Sequence, residues 1–180
     1  MKINHRTLAS TVAAAALAFG VAGAAQAVEL HGASQFGDEH AFTKALVKFE
    51  ELVGECYDGD VTFVLQHAMM LEDRSEAGRE AWRAAIERIA ALPNVVCKLS
   101  GLGTFLHAND PDHIAAVVDV SLALFGAERC LYGSNFPIEK LWTDYGSLIG
   151  AMRAALEKRS EAERQAVFHD VAARIYRLEE

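Results

Sequence analysis

From residue 61 onward, short apolar segments alternate with segments of helical periodicity, and this alternation restricts the fold more than any other feature. The predicted strands cover residues 61–65 and 95–99 and the apolar run that begins at Cys130. Connections of helix length join them, which requires parallel strand pairing and right-handed crossovers. The sequence therefore predicts an α/β fold in which helices cover a parallel sheet.

The periodicity also places the helices. We expect helices over residues 76–92, 110–125 and 143–157, and a final pair from Ser160 onward. Before residue 61 the pattern predicts one short strand, 28–31, and one helix that starts at Asp38 and ends at Gly54. No internal repeat is present beyond an alanine-rich start.

Composition excludes several classes of partner. The chain has 180 residues, 52% of them hydrophobic, so it is long and apolar enough for one domain with a real core. Its net charge of -8 argues against nucleic acid and anionic membranes as partners. The three cysteines form no C-x-x-C pair, which argues against a disulfide framework or a zinc knuckle. Cys97 and Cys130 lie in apolar runs and are expected to pack as small hydrophobic residues.

The N-terminus has the pattern of an export signal. A basic start with Lys2 and Arg6 precedes an apolar stretch over 8–21, and Ala25-Gln26-Ala27 has the small-x-small form of a cleavage site. The alternative is a membrane anchor, but the stretch is rich in alanine and glycine and poor in leucine. We therefore expect cleavage before Val28, periplasmic localisation and no membrane contact afterwards.

The run from Arg129 to Pro137 predicts a strand that opens into a loop. Ligands of α/β folds bind at the carboxyl ends of the strands, where Ser134 and Asn135 stand. An ordinary turn built on Gly133 is the alternative.

His67 and Ser100 follow the other two predicted strands, so they should meet Asn135 at one edge of the sheet. A histidine there can act as a general base, bind a divalent metal or hydrogen-bond a substrate oxygen; it can also be satisfied by loop backbone. We predict His67 and Asn135 as catalytic residues, and Ser100 and Ser134 as contacts to a small-molecule substrate.

Three other residues carry weaker signals. His107 and His113 flank a loop and are expected to be solvated. Lys98 lies inside a predicted strand, so its charge must reach the rim, a partner or solvent at an edge.

Four ordered segments resemble one hydrolase family: Phe63-Val-Leu-Gln-His-Ala68, Pro93-Asn-Val-Val-Cys-Lys-Leu-Ser-Gly101, Tyr132-Gly-Ser-Asn-Phe-Pro137 and Ala172-Ala-Arg-Ile-Tyr-Arg-Leu178. They are similar to the C-terminal half of the amidohydrolase-related, TIM-barrel metal-dependent hydrolases, a branch that includes lactone hydrolases. By this resemblance, His67 corresponds to a histidine that binds metal or the substrate carbonyl. Asn135 takes the position where many members carry the aspartate that binds metal and activates water.

The chain departs from that family pattern in three ways. Asparagine is no carboxylate base and a poor metal ligand, so a divalent metal such as zinc on His67 would have an incomplete ligand set. The paired histidines of the first barrel strand are missing, and about three strands are present where a complete barrel takes roughly 250 residues. Val171 replaces a common asparagine. The resemblance therefore implies a partial (β/α) barrel.

The first third resembles a different family. Segments within 30–44, 49–53 and 57–60 are similar to the start of periplasmic solute-binding proteins of tripartite ATP-independent transporters for organic acids. We therefore predict a chimera with three parts: a signal peptide over 1–27, a binding-protein segment over 28–60, and the barrel segment over 61–180.

Three functions follow from these expectations. The first is a hydrolase that acts on a lactone, ester or amide carbonyl. The second is organic-acid capture, which predicts an arginine on a strand or loop after residue 60, whereas Arg79, Arg83 and Arg88 fall on a predicted helix. The third is a non-functional fusion fragment whose open strand edges favour association, including homo-oligomers.

Overall fold

The structure, a computed structural model, describes residue 39, residues 41–56 and residues 61–178, without the side chains of 42, 43, 46, 50 and 54. The predicted signal peptide, the predicted strand at 28–31 and the helix start at Asp38 lie outside the described residues. The chain divides into two units, residues 1–60 and 61–180. Within the described part, no helix has the length and apolar character needed to cross a membrane.

The described part of the first unit is helix α1 (Ala41–Cys56), which continues past the expected end at Gly54. Ion pairs of 2.8 Å link Lys44 to Glu39 and Lys48 to Glu51 along its exposed surface. Such exposed pairs contribute well under about 1 kcal/mol each. The helix therefore owes little of its stability to them.

The second unit is built on three parallel strands in the order β1 (Phe63–Leu65), β2 (Val95–Leu99) and β3 (Cys130–Tyr132). The register places Leu65 opposite Cys97, and Cys97 opposite Cys130. Helix α2 (Glu76–Ala90) connects β1 to β2, and helix α3 (Pro111–Phe125) connects β2 to β3. The predicted α/β fold with a parallel sheet is confirmed.

Side-chain caps set where these two crossover helices begin. Ser75 Oγ accepts a hydrogen bond from the backbone N–H of Gly78 at the start of α2. Asp110 caps α3 by accepting from the N–H groups of Asp112 and His113, and Pro111 occupies the first turn. At the end of α3 the chain turns at Gly126, whose φ of 76° favours glycine.

After β3 the described chain is mostly helical. Helix α4 (Tyr145–Ala155) begins at the cap Asp144 and is shorter than the predicted 143–157. A capping box formed by Ser160 and Glu163 starts α5 (Glu161–Gln165). A π-helical turn, Ala166–Asp170, joins α5 to α6 (Val171–Tyr176), so the predicted final pair of helices is present.

The sheet is covered on both faces. Residues of one face, including Cys97 and Leu99, pack against Ile86 of α2 and Val118 of α3. On the opposite face, Val96 and Leu131 are buried with Val171 of α6; Val64, Ala172 and Ile175 pack around this second cluster. Because strand side chains alternate between faces, each strand contributes to both clusters.

The two strand cysteines behave as core residues. Cys97 and Cys130 are register partners and are both completely buried. A hydrogen bond with Cys97, and then burial, raises the pKa of the Cys130 thiol far above its usual value. Both are free thiols, which agrees with the expected role as small hydrophobic residues.

A single arginine joins the ends of three elements. The Arg129 guanidinium donates hydrogen bonds of 3.0 Å to the carbonyl of Ala90, 2.9 Å to that of Leu92 and 3.3 Å to that of Val95. It also donates to the carbonyl of Phe125 at 3.1 Å and lies over that residue's ring. Helix ends leave carbonyls without partners, so Arg129 satisfies the ends of α2 and α3 at once.

We expect the substitution Arg129→Met to lower the free energy of unfolding by roughly 2–4 kcal/mol, because several partly buried carbonyls lose a charged donor. Chemical denaturation measures this loss. Arg83→Met is the matched control, since Arg83 is exposed on α2 and should shift stability by less than about 0.5 kcal/mol. Equal effects of the two substitutions would contradict the anchoring role of Arg129.

Candidate functional site

The chain leaves β1 through an unusual backbone turn that fixes the first site residue. His67, Ala68, Met69 and Met70 all have left-handed backbone conformations, with φ of 56°, 44°, 64° and 47°. Such angles are costly for residues other than glycine and persist where surrounding structure holds them. Here Ala68 is completely buried, and its carbonyl accepts a 3.0 Å hydrogen bond from the Trp82 indole of α2. Helix α2 therefore holds the turn that presents His67.

His67 is paired with the residue that follows β2. Its Nδ1 lies 2.8 Å from Ser100 Oγ, and Ser100 is only 3% exposed. A hydroxyl can donate or accept, so either tautomer of the imidazole satisfies this contact. Within residues 61–178 no side chain or backbone group bonds the other ring nitrogen, Nε2. The ring is therefore oriented through one nitrogen while the second stays available for chemistry.

Gly101 allows His67 and Asn135 to approach each other. Its φ is +60°, and a Cβ at this position would lie 2.6 Å from His67 Nδ1 and 3.1 Å from Asn135 Nδ2. Real Cβ atoms do not come so close to a ring nitrogen. The structure thus brings together His67, Ser100 and Asn135 at the carboxyl ends of the three strands, as the motif positions predicted.

Asn135 is oriented by a buried carboxylate that the sequence did not reveal. Its Nδ2 donates to Thr104 Oγ1 and to Glu139 Oε1, both at 3.3 Å. Glu139 is completely buried and also accepts from Thr104 Oγ1 at 2.9 Å and from Trp142 Nε1 at 2.6 Å. Three donors therefore hold this carboxylate. Because the carboxylate can only accept, it is the NH₂ group of Asn135, and not its carbonyl oxygen, that points toward Glu139.

The signal for Glu139 is visible only in retrospect. It lies in the short 3-10 helix Ile138–Leu141, four residues after Asn135 and three before Trp142. A carboxylate in a charged loop is usually solvated, and its partner Thr104 is 35 residues away in sequence. Gly103 completes the pocket, because a Cβ there would lie 2.9 Å from Glu139 Oε2.

The fourth predicted site residue has a more local role in this geometry. Ser134 Oγ accepts a 3.3 Å hydrogen bond from the backbone N–H of Phe136, which braces the loop after β3. Among the described residues it makes no hydrogen bond to His67, Ser100 or Asn135. Its contact with substrate stays a prediction.

One of the two loop histidines differs from expectation. His107 is exposed, with its ring 5.4 Å from that of Trp142. His113 was expected to be solvated, and this is wrong: it is buried in the first turn of α3, on the side that faces the core. Burial, and then the nearby charge of Arg74, lower the pKa of His113, so it is neutral at neutral pH.

Tyr132, the last residue of β3, adds a second buried hydroxyl near the site. Its OH has no hydrogen-bond partner within the part of the chain that the structure describes. Burial, and then Tyr145 and Glu139, raise its pKa to about 12. Tyr132 therefore stays a neutral phenol and does not serve as a base at neutral pH.

The residues around His67 do not fit a resident metal. No group of three histidine, cysteine or carboxylate side chains with the arrangement of a metal site occurs in the described residues. The neighbours of His67 are a hydroxyl and an amide, which are weak ligands for zinc. The Glu139 carboxylate is already held by three donors. The site therefore offers general acid-base chemistry and hydrogen bonding.

Comparison with known proteins identifies the family. The three parallel strands and their helical crossovers form part of a (β/α) barrel of the kind found in amidohydrolases. The family model described as Amidohydrolase matches residues 16–178, and the chain therefore belongs to the amidohydrolase family.

Two curated relatives match the same chain. An L-fucono-1,5-lactonase from Burkholderia multivorans is 41% identical over 115 residues, which cover 60% of this chain and 39% of that protein. An uncharacterized protein, y4mH, from Sinorhizobium fredii is 38% identical over 119 residues, covering 66% of this chain and 40% of that protein. The chain thus spans about two fifths of the length of these relatives.

A solved structure supports the same relationship. An amidohydrolase from Burkholderia multivorans with bound HEPES superposes with a TM-score of 0.63 at 33% identity, covering 72% of this chain and 49% of that chain. A second crystal form of that amidohydrolase, with bound zinc, gives a TM-score of 0.62. The chain spans about half of that barrel.

We expect Glu139→Gln to disturb the Asn135 pocket, because a neutral amide cannot accept from all three donors. The measurement is the ¹H–¹⁵N spectrum of the indole N–H groups, in which Trp142 should shift upfield and Trp82 should serve as internal reference. Stability should fall by roughly 1–3 kcal/mol.

The control for this substitution is Glu157→Gln, because Glu157 is exposed in the turn that follows α4. It should leave both indole resonances and the stability unchanged. An unmoved Trp142 resonance in Glu139→Gln would show that the carboxylate does not hold the pocket together.

Proposed function

We propose that this chain acts in the hydrolysis of a lactone, with His67 as the general acid-base group and Asn135 as the group that orients water or substrate. The observation that carries this proposal is the geometry of His67, which is held through Nδ1 by Ser100 and keeps Nε2 without a partner in the described residues. Membership of the amidohydrolase family and 41% identity to an L-fucono-1,5-lactonase support the carbonyl substrate class. Esters and amides are the related alternatives.

In the proposed reaction, water adds to the lactone carbonyl carbon while His67 Nε2 takes one proton from it. The tetrahedral intermediate then breaks the ring C–O bond, and the imidazolium returns the proton to the ring oxygen, which leaves a hydroxy acid. The Ser100 hydroxyl lies 2.8 Å from Nδ1 and accepts a hydrogen bond from Nδ1–H, both while Nε2 is the neutral base and after it has been protonated, which keeps the ring oriented. General acid-base catalysis of this kind contributes typically 10²–10⁴-fold.

Asn135 has a different part in this proposal. Its Nδ2 is directed to Thr104 and Glu139, so its amide oxygen is the atom left to accept from a water or a substrate hydroxyl. An amide takes up no proton at neutral pH. An aspartate at this position would serve as the base. In this chain the His67 imidazole transfers the proton instead.

We expect His67→Ala to lower the rate of lactone hydrolysis by about 100-fold or more, through loss of the acid-base group. The measurement is hydrolysis of L-fucono-1,5-lactone followed by acid release, with the uncatalysed rate in buffer subtracted. His169→Ala is the matched control, because His169 is exposed and pairs only with Asp170 in the described residues.

Two results would contradict this proposal. The first is a wild-type chain that hydrolyses neither lactones nor esters above the buffer rate. The second is a His67→Ala variant as active as wild type and equally well folded.

We further propose that residues 1–27 direct export and that residues 28–60 derive from the start of a solute-binding protein, which places the mature chain in the periplasm. A solute-binding protein from Sulfitobacter sp. that is 73% identical over 33 residues, 18% of this chain, supports this origin. The division of the chain between residues 60 and 61 is consistent with it. Organic-acid capture is not favoured. It predicts a carboxylate-binding arginine on a strand or loop, whereas Arg79, Arg83 and Arg88 all lie in helix α2.

Cleavage is expected after Ala27, so the chain recovered from a Gram-negative host should be periplasmic and begin at Val28. Intact-mass spectrometry of the periplasmic fraction measures this directly. Ala27→Arg should block cleavage, whereas Ala14→Ser should leave it unchanged. An uncleaved wild-type chain confined to the cytoplasm would contradict the export proposal.

A further inference from the structure

Lys98 lies on the face of β2 that carries Ser100. The two residues are two positions apart along the chain, and side chains at that spacing point to the same side of a sheet. Gly133 of the neighbouring chain segment confirms this placement, because a Cβ there would lie 2.6 Å from Lys98 Cε and 3.2 Å from Ser100 Cβ. The absence of a side chain at Gly133 is what lets Lys98 cross beside Ser100.

The ammonium group of Lys98 has a neutral partner. Its Nζ donates to the Tyr176 hydroxyl of α6 at 3.1 Å and lies 5.3 Å from the centre of that ring. Within residues 61–178 no carboxylate lies within ion-pair distance of Lys98. An ammonium has three N–H donors, so two are left for a ligand, and the Tyr176 O–H is left as a third donor.

We propose that Lys98 and Tyr176 form a subsite for a carboxylate carried by the lactone, so that the preferred substrate is an acidic lactone. The proposal rests on the lactone hydrolysis proposed above. Ser100 contacts His67 at 2.8 Å, and Ser100 and Lys98, two positions apart at the end of β2, are roughly 6–7 Å apart along the backbone. A carboxylate a few carbon atoms from the reacting carbonyl spans that distance, and its two oxygens accept from Lys98 Nζ and Tyr176 O–H together.

The charge balance of this subsite gives it selectivity. Because Lys98 has no counter-ion among residues 61–178, it attracts an anionic group there and gains little from a neutral hydroxyl in the same place. The chain as a whole carries a net charge of -8, which repels anions. The positive charge of Lys98 therefore favours an anionic ligand at this position, against the repulsion from the net negative charge of the whole chain.

The test compares two ligands that differ in one group: the γ-lactone of glucarate, which has a carboxylate, and the γ-lactone of gluconate, which has a hydroxymethyl group in its place. Dissociation constants are measured by NMR titration for the full chain and for Lys98→Met, Lys98→Arg and Tyr176→Phe. Lys158→Met is the matched control, since Lys158 is an exposed lysine in the turn that follows α4. Unfolding midpoints are recorded for every variant.

Wild type should bind the glucarate lactone at least about tenfold more tightly than the gluconate lactone. Lys98→Met should remove this preference by weakening only the acidic ligand, Lys98→Arg should keep most of it, and Tyr176→Phe should reduce it about two- to fivefold. Lys158→Met should match wild type. Added salt should weaken binding of the acidic lactone alone.

The possible failures are distinguishable. Equal binding of both lactones by wild type, or a preference that survives in Lys98→Met, overturns the carboxylate subsite and leaves lactone hydrolysis standing. A preference carried by Lys98 without any hydrolysis supports the subsite and contradicts the proposed reaction. A wild-type chain that binds neither lactone overturns the carboxylate subsite, and if it also fails to hydrolyse L-fucono-1,5-lactone it overturns both proposals.

Discussion

Parallel pairing of β1, β2 and β3 is the constraint on which the rest of the second unit depends. Because the strands run in one direction, the residues that follow them meet at one edge, and His67, Ser100 and Asn135 are drawn from positions spread over almost seventy residues. The same pairing requires a helix-length crossover between strands, and Arg129 then joins the ends of those crossovers to the start of β2. Site and scaffold are thus consequences of one arrangement.

The rim is organised by two layers of hydrogen bonds. Ser100 orients His67, and Glu139 orients Asn135, so each of the two proposed catalytic residues is held by a neighbouring side chain. Burying the Glu139 carboxylate is costly unless several donors satisfy it, and Thr104, Trp142 and Asn135 supply them. Asn135 is held in a defined orientation although it replaces an acid, because its amide N–H group donates to the Glu139 carboxylate.

Strand and helix positions, the parallel sheet and the convergence of three site residues follow from sequence patterns, since apolar periodicity and the strand-end rule are local or topological. The left-handed turn at His67–Met70 could not be predicted, because it contains no glycine or asparagine and is held by Trp82 from a separate helix. Glu139 was missed because its burial depends on Thr104, far away in sequence. His113 was misassigned because one turn of helix decides between core and solvent, and a loop-flanking position does not reveal which side it faces.

Helix α6 both covers one face of the sheet and contacts Lys98, so movement of the helix would affect both contacts. Through Val171 it covers the apolar strip of Val96 and Leu131, and through Tyr176 it reaches Lys98 beside the rim. Short helices open readily by local unfolding, and opening of the six-residue α6 would expose an apolar sheet face, a recognised route to aggregation. A ligand held by Tyr176 would keep the helix docked, so occupancy of the site would also protect the chain from self-association.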